Sequence, residues 1–210
     1  MGSYMMHLAV SNNVKKKLKL SDDFLYGSLL PDILKEEGQD RKINHYLKEE
    51  TINGSIRRLP DISRAIGDID KFENKEIALG YIAHLIEDYI WFSVYIPSYV
   101  EEKEDKCIYL KDNSVHSIQE FRKDIYSDYA SSNKYISDLM KENTEELKNR
   151  LEKVANTKVR KEKVKECISL NKSNNIQNNI FMTKESIDSY IEIATKEVEK
   201  VISRIIKEEI

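Results

Sequence analysis

Between Ile77 and Ile96, fifteen of twenty residues are apolar, yet His84, Glu87 and Asp88 sit near the middle of the run. A helix that is apolar almost all the way round belongs in a core or a bilayer, and about twenty residues is the length that spans a bilayer. Three ionisable side chains at the centre argue for a central core helix instead. Burying them is costly unless something compensates their charge, so whatever this chain folds into must supply that compensation.

The rest of the composition agrees with a helical core. With 210 residues the chain can bury a sizeable interior and is read as one domain, residues 1–210. Only 6 Gly and 3 Pro against abundant Lys, Glu and Ile favour helix over a turn-rich β fold. A net charge of −3 offers no general attraction to nucleic acid or anionic membrane, so no nucleic-acid partner is expected. Cys107 and Cys167 are too far apart for a metal-type pair and point to a reducing compartment without a disulfide framework. MGSYMMHLAV has neither a basic start nor a long apolar run, so no signal peptide and a cytoplasmic location are expected. KKKLK, 15 to 19, reads as a solvated helix end, and no Gly-rich phosphate loop, CxxC pair or G-x-S-x-G elbow is present.

Periodicity predicts about seven or eight helices and no convincing strand. A first helix spans about Tyr4 to Leu18, and a second starts near Ser21, Asp22 or Asp23. A short helix is expected around Asn44 to Glu49, a turn at Asn53-Gly54, and helical pieces over 55 to 70 broken by Pro60. Pro97 should end the central helix, and a charged stretch, 101 to 113, leads into a helix over about 115 to 141. Asn143, with Glu146 three residues on, looks like the N-cap of a charged outer helix over 144 to 170. NKSNNIQNN, 171 to 179, is an Asn-rich loop. Ile187, Tyr190, Ile191, Ala194, Val198, Val201, Ile202 and Ile205 then trace one face of a long terminal helix, and such amphipathic helices could also join two copies of the chain.

On the central helix, positions four apart lie one above the other. His84 and Asp88 therefore point the same way, and Gly80 one turn earlier leaves open space beside the imidazole. An imidazole and a carboxylate at that spacing are standard ligands for a divalent ion; a His–Asp hydrogen bond inside a core is the alternative. Glu87 lies about 100° from Asp88 around the helix and stays outside this pairing. Tyr81, Trp91 and Tyr95 share the ligand face and are read as core. The remaining histidines are His7 in MMHLAV, His45 in KINHY and His116 in VHSIQE, while Asp32 in LLPDIL is an acid among apolar residues. So many buried polar groups are hard to explain without a ligand.

His7, GSLLPD, NHY and GYIAHLIEDYIW, in that order, resemble the zinc-dependent phospholipase C family, above all its short bacterial members, over roughly residues 4 to 96. The single-strand-specific zinc nucleases share that scaffold. The resemblance implies an all-α multi-helix bundle with a buried central helix, a cluster of one to three Zn2+ ions (Fe or Mn being alternatives) and hydrolysis of a phosphoester. It assigns Asp32, His45, His84 and Asp88 as metal ligands, with Asp88 able to bridge two ions, His7 as ligand of a further zinc, and Asp32 as the base. The family's H-x-x-x-E pair has one counterpart here, His116 with Glu120, and a fully occupied family cluster also uses another histidine that this sequence lacks between His84 and His116. The N-terminal residue that ligates zinc in secreted members has no match at Met1, since six residues precede His7.

On a helical wheel His116 and Glu120 face away from Ile118, Phe121, Ile125 and Ile136, so Asp124 or Asp128 could serve in their place and one or two metals are favoured over three. The expected substrate is a small-molecule or phospholipid-like phosphoester. Phosphohydrolases of the HD type need adjacent His and Asp, which none of the four histidines provides. A non-catalytic helical interaction or metal-binding protein on the same scaffold is the other reading.

Overall fold

Each long helix begins where a side chain takes over a backbone N–H that the helix cannot bond. In the computed structural model, which describes residues 3–52, 55–103, 105–168 and 176–208, Ser3 caps α1 (Tyr4–Leu18) and Ser21 caps α2 (Asp22–Glu36). Asn74 accepts from the N–H groups of Glu76 and Ile77 at the head of α5 (Lys75–Ile90), and Asn143 does the same for α7 (Thr144–Val154). Ser117 and Glu120 form a reciprocal capping box on α6 (Ile118–Met140), and Thr183 caps α9 (Lys184–Lys207). Short α3 (Arg41–Asn44) and α4 (Ile62–Gly67), with α8 (Lys158–Ile168), complete the helices among the described residues.

The bundle is built around α5, every residue of which from Ala78 to Asp88 is buried. Its chain continues through a π-helical turn, Trp91–Tyr95, and a 3-10 turn, Ile96–Ser98, before the run stops. Helix α2 lies against α5, while α1 packs on α9, α2 and α6. Two glycines set the α2–α5 distance. A Cβ at Gly80 would collide with the carbonyl of Phe24, and one at Gly27 with the carbonyl of Ile77. The open space expected beside Gly80 is therefore filled by the neighbouring helix. Trp91 and Tyr95 stack at 4.2 Å in the core, as expected of aromatics at that spacing. The apolar face of α9, from Ile187 to Ile205, is buried within the chain's own interior.

The small sheets depart from the sequence reading. Residues expected to form a short helix around Asn44 to Glu49, and the first of the pieces after 55, make a β-hairpin of β1 (Leu47–Ile52) and β2 (Ser55–Pro60). The charged stretch contributes β3 (Val100–Lys103) and β4 (Lys106–Tyr109), which pair with β5 (Ser114–Ser117). Alternation is hard to see in such short, largely exposed strands, and cross-strand pairing decides them. The charged segment 144 to 170 is two helices rather than one, and Leu147, Leu151, Val164, Cys167 and Ile168 bury its sparse apolar residues. The Asn53-Gly54 turn and much of the Asn-rich loop lie outside the described residues. Both cysteines are buried and free. No helix of the described residues is long and apolar enough to cross a membrane.

Candidate metal centre

Four elements deliver the site. Helix α1 brings His7, α2 brings Asp32, His45 follows α3 as its C-cap, and α5 brings His84 and Asp88. At α2, Pro31 has no N–H for the carbonyl one turn earlier, and in that same turn the Ser28 carbonyl accepts the His84 Nδ1–H at 2.8 Å. Just past His45, Tyr46 adopts a left-handed φ of 51°, a conformation that costs energy outside glycine and reverses the chain into β1.

The five side chains are 0–1% exposed and face one another. The rings of His7 and His84 stack at 3.9 Å, with His45 edge-on to His84 at 5.3 Å. The two oxygens of Asp88 look different ways: Oδ1 lies 3.7 Å from His7 Nε2, while Oδ2 lies 3.9 Å from the Nε2 atoms of both His45 and His84. Asp32 Oδ1 is 3.4 Å from His45 Nε2. Two overlapping groups, His7–Asp32–His84 and His45–His84–Asp88, each bring their ligand atoms within 4.8 Å of one another and could hold a metal ion.

Hydrogen bonding outside the cluster prepares these atoms. His7 Nδ1 is 2.9 Å from Glu87 Oε2, His45 Nδ1 is 2.6 Å from Asn44 Oδ1, and His84 Nδ1 is bound to the Ser28 carbonyl. A ring whose Nδ1–H is donated outward presents a bare Nε2 lone pair inward, the tautomer a metal requires. The Nε2 atoms of His7, His45 and His84 and both oxygens of Asp32 are buried without a hydrogen-bond partner among the described residues. Buried polar atoms left that way cost about 1–3 kcal/mol each. Five of them meeting at one place fit a divalent cation, which would satisfy them together.

Charge gives the same answer. Burial drives the His7 imidazole down to about 3 and also lowers that of His84, so both rings are neutral near pH 7. Burial works to raise both Asp32 and Asp88, yet both carboxyls lie below their usual range and are ionised near pH 7. Two buried carboxylates beside neutral rings call for positive charge.

Glu87, which the face argument set aside, belongs to the site. It is fully buried, accepts from Ser11 Oγ at 3.3 Å as well as meeting His7, and its backbone carbonyl accepts the Tyr190 hydroxyl at 3.0 Å. Burial pushes its carboxyl well above the usual range. Its signal in the sequence was its position, one residue before Asp88 on a helix buried on every side, where even the face turned from the ligands meets another helix. Glu87→Gln, which keeps the shape and removes the ionisable carboxyl, is expected to weaken metal binding about 10- to 100-fold through His7. Chelator competition measures this; an unchanged affinity would show that the Glu87–His7 contact serves packing alone.

His116 and Glu120 stand apart from this cluster. His116 is on β5 rather than α6, so the pair does not share a helix face. Its ring stacks on Tyr109 at 3.8 Å and its Nε2 meets Ser114 Oγ at 2.7 Å. The Glu120 carboxylate is engaged by the N–H and hydroxyl of Ser117. Asp124 takes the Tyr109 hydroxyl, and Asp128 accepts the N–H groups of Ile180, Phe181 and Met182. All four have structural work, and among the described residues none joins either metal-competent group.

Comparison with curated proteins and with solved structures gives no match. The family model described as zinc dependent phospholipase C matches residues 6–194, a span that holds His7, Asp32, His45, His84, Glu87 and Asp88. The chain belongs to the zinc-dependent phospholipase C family.

Proposed function

We propose that this protein is a metal-dependent hydrolase that cleaves a phosphoester with an activated water. The observation that carries the reading is the set of five inward-facing ring nitrogens and carboxylate oxygens without hydrogen-bond partners among the described residues, three of them on imidazoles anchored through Nδ1. Zinc bound there would supply a Lewis acid that brings the pKa of water towards neutrality and stabilises the anionic oxygens of a phosphoester. One or two ions match the two overlapping groups.

The chain's own residues have separable tasks. His7, Asp32, His45, His84 and Asp88 would hold the cation, with the two oxygens of Asp88 turned to different histidines. Asp32 is ionised and has unbonded oxygens, so it orients the attacking water and takes up its proton. Ser28, Asn44 and Glu87 lock the ring orientations from behind.

Metal content of protein purified without added metal, followed by turnover of chromogenic phosphate mono- and diesters, tests the reading. Asp32→Asn is expected to lower kcat roughly 10²- to 10⁴-fold. Sub-stoichiometric metal in the wild type, unchanged by His84→Ala, would remove the proposal. The enclosure of the cluster, 0–1% exposed throughout, favours a second reading in which the ion is structural and the protein non-catalytic. That reading expects full metal occupancy with no turnover of any ester.

A further inference from the structure

The five proposed ligands are shut away from solvent, but one cationic side chain reaches from the surface to the cluster. The side chain of Arg41 is 37% exposed, and its Nη2 lies 3.7 Å from Asp88 Oδ2, beyond hydrogen-bonding range. Its Nε is buried without a hydrogen-bond partner. The guanidinium carbon lies over the Phe92 ring, 5.8 Å from its centroid. Arg41 also opens α3, the helix whose C-cap is His45, so the short segment that places a ligand places this fork as well.

We propose that Arg41 binds a non-bridging oxygen of the phosphoryl group held at the cluster. This rests on the reading of the cluster as a phosphoester site. A planar fork with unused donors matches phosphate geometry better than any point charge does. With His116 and Glu120 committed elsewhere, the guanidinium supplies fixed positive charge beside Asp88. It is available both to a bound anion and to the charge that builds during cleavage.

The test titrates zinc-loaded wild type, Arg41→Ala and Arg41→Lys with inorganic phosphate by calorimetry, with zinc per chain and diester turnover measured in parallel. R41A is expected to weaken phosphate about 10- to 100-fold, with zinc per chain and melting temperature at wild-type values, and R41K to recover only part. An unchanged phosphate affinity in R41A, no phosphate binding by the wild type, or loss of zinc in step with phosphate would overturn the proposal. Weaker phosphate binding by R41A in a protein that cleaves no ester supports Arg41 and removes the hydrolytic reading. Ester cleavage with unchanged phosphate affinity does the reverse. A soluble phosphodiester and a phospholipid present the same oxygen, so glycerophosphocholine and phosphatidylcholine vesicles are compared as competitors. Whichever displaces phosphate from the wild type names the source, and a displacement that R41A leaves unaltered counts against Arg41.

Discussion

Replacing Asp88 by asparagine is expected to weaken metal binding roughly a hundredfold or more, beyond the usual effect of losing an outer-shell partner. The two oxygens of Asp88 face different histidines, at 3.7 Å from His7 and 3.9 Å from His45 and His84. The amide keeps the shape, so the helix and the α2–α5 packing should survive. It removes a buried negative charge that faces the histidines, the Arg41 guanidinium 3.7 Å away and the proposed cation. Because the Asp88 carboxyl lies below its usual range, the folded chain favours its charged form, so Asp88→Asn should cost stability without metal and cost more with it. Chelator-competition affinities and melting curves with and without zinc measure both arms. Wild-type metal affinity in the variant would exclude Asp88 as a ligand.

The second large effect is expected at Gly80, far from solvent and without any charge. An alanine Cβ there meets the Phe24 carbonyl and comes within 2.9 Å of Gly27 Cα, backbone atoms that no rotamer change can move. Overpacking of this kind costs typically 1–3 kcal/mol and more where the backbone must yield. At about 3 kcal/mol the melting midpoint of a chain this size falls on the order of 10 °C. Prising α2 from α5 also separates the Ser28 carbonyl from His84 Nδ1, so metal affinity should fall along with stability. Gly67→Ala is the control: a Cβ there meets nothing within 4 Å, and its effect should stay within about 0.5 kcal/mol. A Gly80→Ala melting point level with that of Gly67→Ala would contradict the close helix crossing.

Much of the site was legible because it is written in local patterns. His84 and Asp88 are four apart on a helix whose apolar character on all sides announces a core, and His7, Asp32 and His45 are isolated polar residues in apolar settings. The capping residues Asn143 and Ser21 were legible for the same reason, since each bonds N–H groups two or three positions away. Pairing in sheets and approach between helices are not local. Nothing in LKEETI announces that it lies against SIRRLP in a hairpin, and nothing in Gly80 announces Phe24.

By itself, then, the sequence determined that a helical core must accommodate His84 and Asp88, because helical periodicity follows from spacing alone. Only the tertiary structure decided which polar groups meet there. It brought Glu87 in, because a helix enclosed by α1 and α9 turns every face towards a partner. It kept His116 and Glu120 out, because a capping box ended the strand and started α6 between them. And it set Arg41 beside Asp88, 47 positions apart in the chain, a separation that no short-range pattern can bridge.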